Sequence, residues 1–152
     1  MKTHIFDREI WIAQPVDVIF PFFSDARNLE LITPPWLRFK ILAPDILEMR
    51  RGMRIDFQLK LHGMTVRWES EITAWEPPHR FVDEQRRGPY RQWIHEHTLT
   101  EKEGGTLARD NIRYAVPGGA IVNRLLVRPD LNRIFDYRYA KLREIFGTTR
   151  ES

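Results

Sequence analysis

The sequence predicts an α+β fold in which a curved antiparallel sheet of seven strands wraps around one long C-terminal helix. Three observations carry this. From Met53 to Ala115 the chain reads as five strand-like runs divided by the turn signals His62-Gly63, Pro77-Pro78, Gly88-Pro89 and Gly104-Gly105, the pattern of an antiparallel meander. Leu131, Ile134, Phe135, Arg138, Leu142, Ile145 and Phe146 recur at the three-and-four spacing of an amphipathic helix, with Gly147 where a helix stop is expected. Between the first strand and the meander, two short helical patterns interrupt the alternation. A long helix covering the apolar face of the sheet, with the charged face left to water, is the economical way to pack these parts.

Taken in order, residues 4–12 alternate, with Phe6, Ile10 and Ile12 on one face and Asp7 and Glu9 on the other; Trp11 interrupts the pattern. Pro15 has the fixed φ of a first helical turn and opens a helix whose apolar face is Val16, Ile19, Phe20 and Phe23. Ser24 and Asp25 end it and cap a second, covering Ala26 to Leu31. Thr33-Pro34-Pro35 is extended or turned, because each proline pushes its predecessor out of the helical region. Trp36 to Leu42 reads as a strand, followed by an irregular link containing Pro44 and Gly52.

Parity then fixes faces, since directly paired residues on neighbouring strands share a face. A two-residue loop at His62-Gly63 sets Leu61 opposite Met64, Leu59 opposite Val66 and Phe57 opposite Trp68. A two-residue loop at Pro77-Pro78 sets Ala74 opposite Phe81 and Ile72 opposite Asp83, which places Phe81, Asp83 and Gln85 inside. On the last strand Thr106, Ala108, Asp110, Ile112 and Tyr114 form the better inner set. An even loop around Gly104-Gly105 brings Trp93, His95, His97 and Leu99 inside, and a four-residue loop sets His97 opposite Asp110. The last helix either begins at Asp130 or continues an earlier segment from Ala120 that is kinked at Pro129.

The chain of 152 residues shows no linker or shift in composition, so one domain over residues 1–152 is expected, with 147–152 as a flexible tail. The absence of cysteine removes disulfides, thiolate catalysis and Cys-based metal sites. The N-terminal stretch has no long apolar run, so a soluble cytoplasmic protein without membrane insertion is expected. A net charge of +3, with small clusters at Arg50, Arg51 and Arg54 and at Arg86 and Arg87, reads as solvated surface and gives no nucleic-acid partner. No glycine-rich phosphate loop and no serine nucleophile elbow are present, and no cofactor is expected.

The inferred inner face is unusually polar: Ser70, Asp83, Gln85, His95, His97, Asp110 and Tyr114 stand among Phe57, Leu59, Trp68 and Trp93. Buried polar groups must bond one another or contact water. They either form a structural network, with Asp110 accepting from His97 or Tyr114, or line a wet cavity and orient a ligand. A sharper reading makes His97 or His95 a general base, with Asp110 or Asp83 orienting the ring, for enolisation, dehydration or aldol-type cyclisation. His95 and His97 could share an ion with Asp110 or Asp83, but two histidines without an obvious third ligand are a weak signal, and no metal is expected. Arg138, the one charge on the gripping face of the last helix, pairs with an inward acid such as Asp83 or reaches a ligand carboxylate. His4, His62 and His79 are expected at the surface, and Trp11 or Trp36 could anchor a partner.

Several motifs resemble those of the START/polyketide-cyclase-like superfamily, the helix-grip or SRPBCC proteins, and in particular its small bacterial ligand-binding branch. They are Ala13-Gln14-Pro15 with Val18-Ile19-Phe20, Asn28-Leu29, Thr33-Pro34-Pro35-Trp36-Leu37 with Phe39, Trp75-Glu76-Pro77-Pro78, Phe81 with Asp83 and Gln85, Gly88-Pro89-Tyr90, Trp93 with His95 and His97, Gly105-Thr106 with Asp110 and Tyr114, and Tyr137-Arg138. The resemblance implies a helix-grip fold with a cavity between sheet and last helix, and a family that does not typically use metal. The expectation is non-catalytic binding of a lipid- or polyketide-like molecule, with Phe135 and Arg138 joining the inner-face residues at the ligand. A cyclase or dehydratase using an inward histidine, and a co-chaperone-like interaction protein without a ligand, are the alternatives; oligomeric state is left open.

Overall fold

The computed structural model describes residues 2–42 and 49–147, so Pro44 of the irregular link lies outside the described residues. The chain runs β1 (His4–Ile12), α1 (Val16–Phe23), a 3-10 turn (Ala26–Asn28) leading into α2 (Leu29–Ile32), a second 3-10 turn (Pro35–Leu37), and β2 (Lys40–Ile41). The meander follows as β3 (Arg54–Leu61), β4 (Met64–Glu76), β5 (Arg80–Arg87), β6 (Gln92–Lys102) and β7 (Gly105–Ala115). The helical C-terminal part is α3 (Gly119–Val122), a π-helical turn (Asn123–Val127) and α4 (Arg128–Phe146). The seven strands are all antiparallel and ordered β1-β7-β6-β5-β4-β3-β2.

Local chemistry explains most boundaries. Pro15 is the extended residue before α1, and the Ser24 hydroxyl closes that helix by donating to the Phe20 carbonyl. The Asp25 side chain caps the next segment by accepting from the Arg27 N–H at 3.0 Å. The strand expected over Trp36–Leu42 shrinks to Lys40–Ile41, because Pro34 and Pro35 start a 3-10 turn instead and Arg38 turns left-handed at φ 47°. His62 and Gly63, and likewise Glu103 and Gly104, all have positive φ, as the twist of two-residue hairpins demands. The second loop is thus shorter than the four residues considered, yet it conserves parity and pairs His97 with Asp110.

Two departures matter for the site. The β4–β5 loop spans Pro77 to His79, so Trp75 pairs with Phe81 and Ala74 with Val82; a bulge at Thr73 then restores the Ile72–Asp83 pair. The bulge turns both Ile72 and Trp75 toward the inside, where Trp75 packs on Phe20 and Phe81. The helix continues unbroken from Gly119 to Phe146, with Pro129 in the first turn of α4 and the π turn just before it absorbing the change in hydrogen-bonding pattern. Its buried face is Leu131, Phe135, Arg138, Tyr139 and Leu142; Ile145, assigned to that face from spacing, is exposed in the last turn. Phe6, Ile10, Ile112, Leu131, Phe135 and Leu142 form the main core between β1, β7 and α4.

Candidate functional site

Strand alternation aims Asp83 from β5, His95 and His97 from β6, and Asp110 from β7 at the inner face. Because His95 and His97 are two residues apart on one strand, their rings stack, with centroids 3.6 Å apart. Register places Asp83 opposite His95 and His97 opposite Asp110. The short contacts are nonetheless diagonal: His97 Nε2 meets Asp83 Oδ2 at 2.6 Å and His95 Nε2 meets Asp110 Oδ1 at 2.7 Å. The straight-across contacts are longer, 3.8 Å from His95 Nδ1 to Asp83 and 3.4 Å from His97 Nδ1 to Asp110. From α4, the Tyr139 hydroxyl donates to Asp110 Oδ2 at 2.8 Å and the Arg138 guanidinium lies 3.8 Å from Asp110 Oδ1.

His95, His97, Asp110, Arg138 and Tyr139 are buried and Asp83 is half-buried, and their protonation follows from what surrounds them. Burial pulls the Asp110 carboxyl upward, but the Arg138 charge and the His95 hydrogen bond outweigh it and hold Asp110 far below the usual carboxylate range. Burial likewise opposes ionisation of Asp83, and the His97 hydrogen bond with the nearby charges of His95, His97 and Arg138 holds it below its ordinary value. His97 is pushed down to about 4, by burial first and by neighbouring His95 second, against the pull of Asp83. With both carboxylates ionised, each Nε2–H donates. Burial and the adjacent Asp110 raise the Tyr139 phenol, fixing it as a donor.

Beside this cluster lies a cavity of about 190 Å³ between the sheet and α4. Phe39, Phe57, Trp68, Tyr90 and Trp93 give it aromatic walls; Asp83, His95, His97 and Arg138 form its polar end. The Trp68 indole stacks on Phe57 at 5.6 Å and meets Trp93 edge-on at 5.1 Å. Its Nε1–H donates to Ser70 Oγ at 3.0 Å, so Ser70 is already bonded. Trp68 and Phe135 belong to separate packing clusters and both border the cavity, while Ile134 of α4 packs against the Trp68 cluster. Leu37, Leu61 and Ile134 line both the cavity and an adjoining hollow of about 480 Å³ bounded by Trp36, His62 and Asp130.

Of the residues singled out in the sequence, the structure brings Phe57, Leu59, Trp68, Ser70, Asp83, Trp93, His95, His97, Phe135 and Arg138 onto the cavity wall. Three stand elsewhere. Gln85 clamps the β5–β6 loop, donating to the Tyr90 carbonyl at 2.7 Å and accepting from its N–H at 3.1 Å. A side chain at Gly88 would meet Gln85 Oε1 at 2.4 Å and displace the Gln85 amide from this clamp. Tyr114 is fully buried and donates to Asn123, not to Asp110. Asp110 sits behind the histidines; its partners are His95 and Tyr139 in place of the expected His97 or Tyr114, and it, not Asp83, is the acid in direct range of Arg138. Tyr139, four residues beyond Phe135 on the same helical face, escaped the sequence reading although its spacing marks it as inward. Tyr90 and Phe39 were also missed as wall residues.

The remaining candidates separate clearly. His79 is exposed, His62 pairs with Asp130 at 2.6 Å, and His4 is half-buried against Tyr114. Trp11 is tied down through its indole to the Lys102 carbonyl, while Trp36 remains half exposed against Tyr137. Asp83, His95 and His97 bring one donor atom each within 4.8 Å of the others, the spacing of a possible metal site. The rings, however, are inclined by only 24°, so their in-plane lone pairs run side by side instead of converging on one ion. Among the described residues no helix is long and apolar enough to cross a membrane.

A seven-stranded antiparallel sheet gripping a long C-terminal helix, with a cavity between them, defines a helix-grip protein. Residues 12–142 match the family described as polyketide cyclase / dehydrase and lipid transport, and the chain belongs to that family. No curated protein matches the chain in sequence. Among solved structures it resembles protein CV1439 from Chromobacterium violaceum, at TM-score 0.74 and 13% identity over 96% of this chain and 99% of that one. Protein Ms6760 from Mycobacterium smegmatis gives TM-score 0.68 and 21% identity over 93% of this chain and 89% of that one. The ginseng major latex-like protein 151 from Panax ginseng gives TM-score 0.70 and 12% identity over 95% and 97%. At these identities the likeness is one of fold.

Proposed function

We propose that the protein binds a hydrophobic or amphipathic small molecule, lipid- or polyketide-like, in the cavity between sheet and α4, and returns it unchanged. The observation that carries this is an apolar, aromatic-walled cavity of about 190 Å³ ending in a buried cluster of polar side chains. An apolar engineered cavity of roughly 150 Å³ holds one benzene ring, so a cavity of about 190 Å³ suits a body of one or two rings or a short chain. Apolar walls with a few convergent polar groups are the usual build of a ligand site. The cysteine-free composition supports a cytoplasmic setting.

Binding is favoured over chemistry by the bonding of the histidines. Both ring nitrogens of His97 face carboxylates, at 2.6 and 3.4 Å, and His95 spends Nε2 on Asp110. A general base needs a lone pair within reach of the substrate proton; with each Nε2–H given to a carboxylate the remaining lone pairs sit on Nδ1, and these face Asp110 at 3.4 Å from His97 and Asp83 at 3.8 Å from His95. The cyclase or dehydratase reading rests on the same His–Asp contacts standing at a cavity wall. Native mass spectrometry of freshly purified protein, followed by extraction of the bound species, separates the two. A carrier holds one molecule per chain and releases it intact; turnover abolished by His97→Ala and His95→Ala would establish the enzyme instead.

A further inference from the structure

The polar end of the cavity holds two unsatisfied groups of opposite charge. Arg138 is 9% exposed, and its Nε has no hydrogen-bond partner. Its one ionic contact among the described residues, to Asp110, is long at 3.8 Å. Its guanidinium lies 5.7 and 5.5 Å from the Phe23 and Phe135 ring centres, which attract its charge but accept no conventional hydrogen bond, so its donors remain short of acceptors. Asp83 is the complement: Oδ2 accepts from His97 at 2.6 Å, Oδ1 enters no hydrogen bond among the described residues, and a fifth of the side-chain surface remains accessible at the cavity wall. A cation lacking acceptors and an anion lacking a donor thus line one apolar cavity.

We infer that this end selects an uncharged head group that accepts from Arg138 and donates to Asp83, such as a carboxamide, a protonated carboxylic acid or a hydroxy-carbonyl. The inference rests on the cavity being the binding site. A carboxylate would satisfy Arg138 but stand against Asp83, with Asp110 behind it; an ammonium would satisfy Asp83 but stand against Arg138. A carboxylate adds to the excess of Asp83 and Asp110 over Arg138, while an ammonium offsets that excess but must give up its hydration beside the Arg138 guanidinium, and a buried charge without full hydrogen bonding is costly. A dipolar head engages both groups and adds no charge. Every titratable or charged side chain facing this point is part of the count: Asp83 from β5, His95 and His97 from β6, Asp110 from β7, Arg138 and Tyr139 from α4.

Calorimetric titration with probes that share a naphthalene body tests this: naphthalene-2-carboxamide, 2-acetonaphthone, naphthalene-2-carboxylate and 2-naphthylmethylammonium, all near neutral pH. The carboxamide should bind roughly tenfold or more tighter than either charged probe, with the acceptor-only ketone between. Asp83→Asn should move the preference toward the carboxylate, and Arg138→Met toward the ammonium, each read relative to 2-methylnaphthalene titrated into the same variant. These are changes of order, which a purely structural role of either residue does not produce. A charged probe equal to or tighter than the carboxamide on the unaltered protein overturns the inference, whether or not the variants fold. An unchanged order in folded variants does the same. If none of the probes binds, including 2-methylnaphthalene, the cavity reading itself fails.

Discussion

The two faces of one sheet carry the same kinds of charged side chains and use them differently. Outside, Arg54 bridges Glu69 and Glu71, Arg80 bridges Glu76 and Glu96, and Arg109 pairs with Asp7, all with at least one partner well exposed. Inside, Asp83, Asp110, His95, His97 and Arg138 meet at comparable distances but without bulk water. Water and salt screen the outer pairs, so each contributes little. The inner groups are desolvated, so each depends on its partners, and removing one leaves another buried and uncompensated. The proposed site lies on the inner face for that reason, not because the charges there are more numerous.

The largest effect should follow from removing the hub. Asp110→Ala deprives His95, Tyr139 and Arg138 of one shared acceptor, and should cost about 3–5 kcal/mol of stability in denaturant unfolding. Asp110→Asn, which keeps the shape and one acceptor, should cost less.

The pH dependence sharpens the comparison. His97 in the fold is held at about 4, below its ordinary value of 6.5, so on acidification the unfolded chain takes up a proton that the folded chain refuses. Stability is therefore full above the unfolded value and falls as pH drops through that window, with a slope approaching one proton, about 1.4 kcal/mol per pH unit. Asp83 and Asp110, also depressed, add losses of the same sign as pH falls below the ordinary carboxylate range. Unfolding measured across this range should lose most of its slope above pH ~4.5 in His97→Gln. At the small end, Arg54→Ala on the outer face should change stability by less than about 1 kcal/mol and by less still in high salt.

How much of this was legible in the sequence depends on whether a feature is set by parity or by geometry. The pairing of His97 with Asp110 followed from alternation and an even loop, and it holds even though the loop is shorter than the one considered. The bulge at Thr73 has no signature among its neighbours, so Ala74 was paired with Phe81 where the structure pairs Trp75. The proline pair before Trp36 was read as a break, but its power to start a 3-10 turn at the expense of a strand was not. Diagonal His–Asp bonding depends on how stacked rings lean along the strand, which residue spacing does not encode. Nor does spacing distinguish a filled core from a hollow one: Phe135 and Trp68 both read as inward, and the gap between them is a property of packing alone.

That gap is the central claim, and filling it is the most direct test. Leu59 is buried on the cavity wall, and Leu59→Phe sends a larger ring into the space. The fraction of protein in the ligand-bound form, read by native mass spectrometry with 2-methylnaphthalene at a concentration that saturates the unaltered protein, should fall from near unity to near zero while thermal stability is kept or raised. A Leu59→Phe protein that loses the roughly 1–3 kcal/mol expected of an overpacked core, and whose unaltered parent binds nothing, would contradict the account.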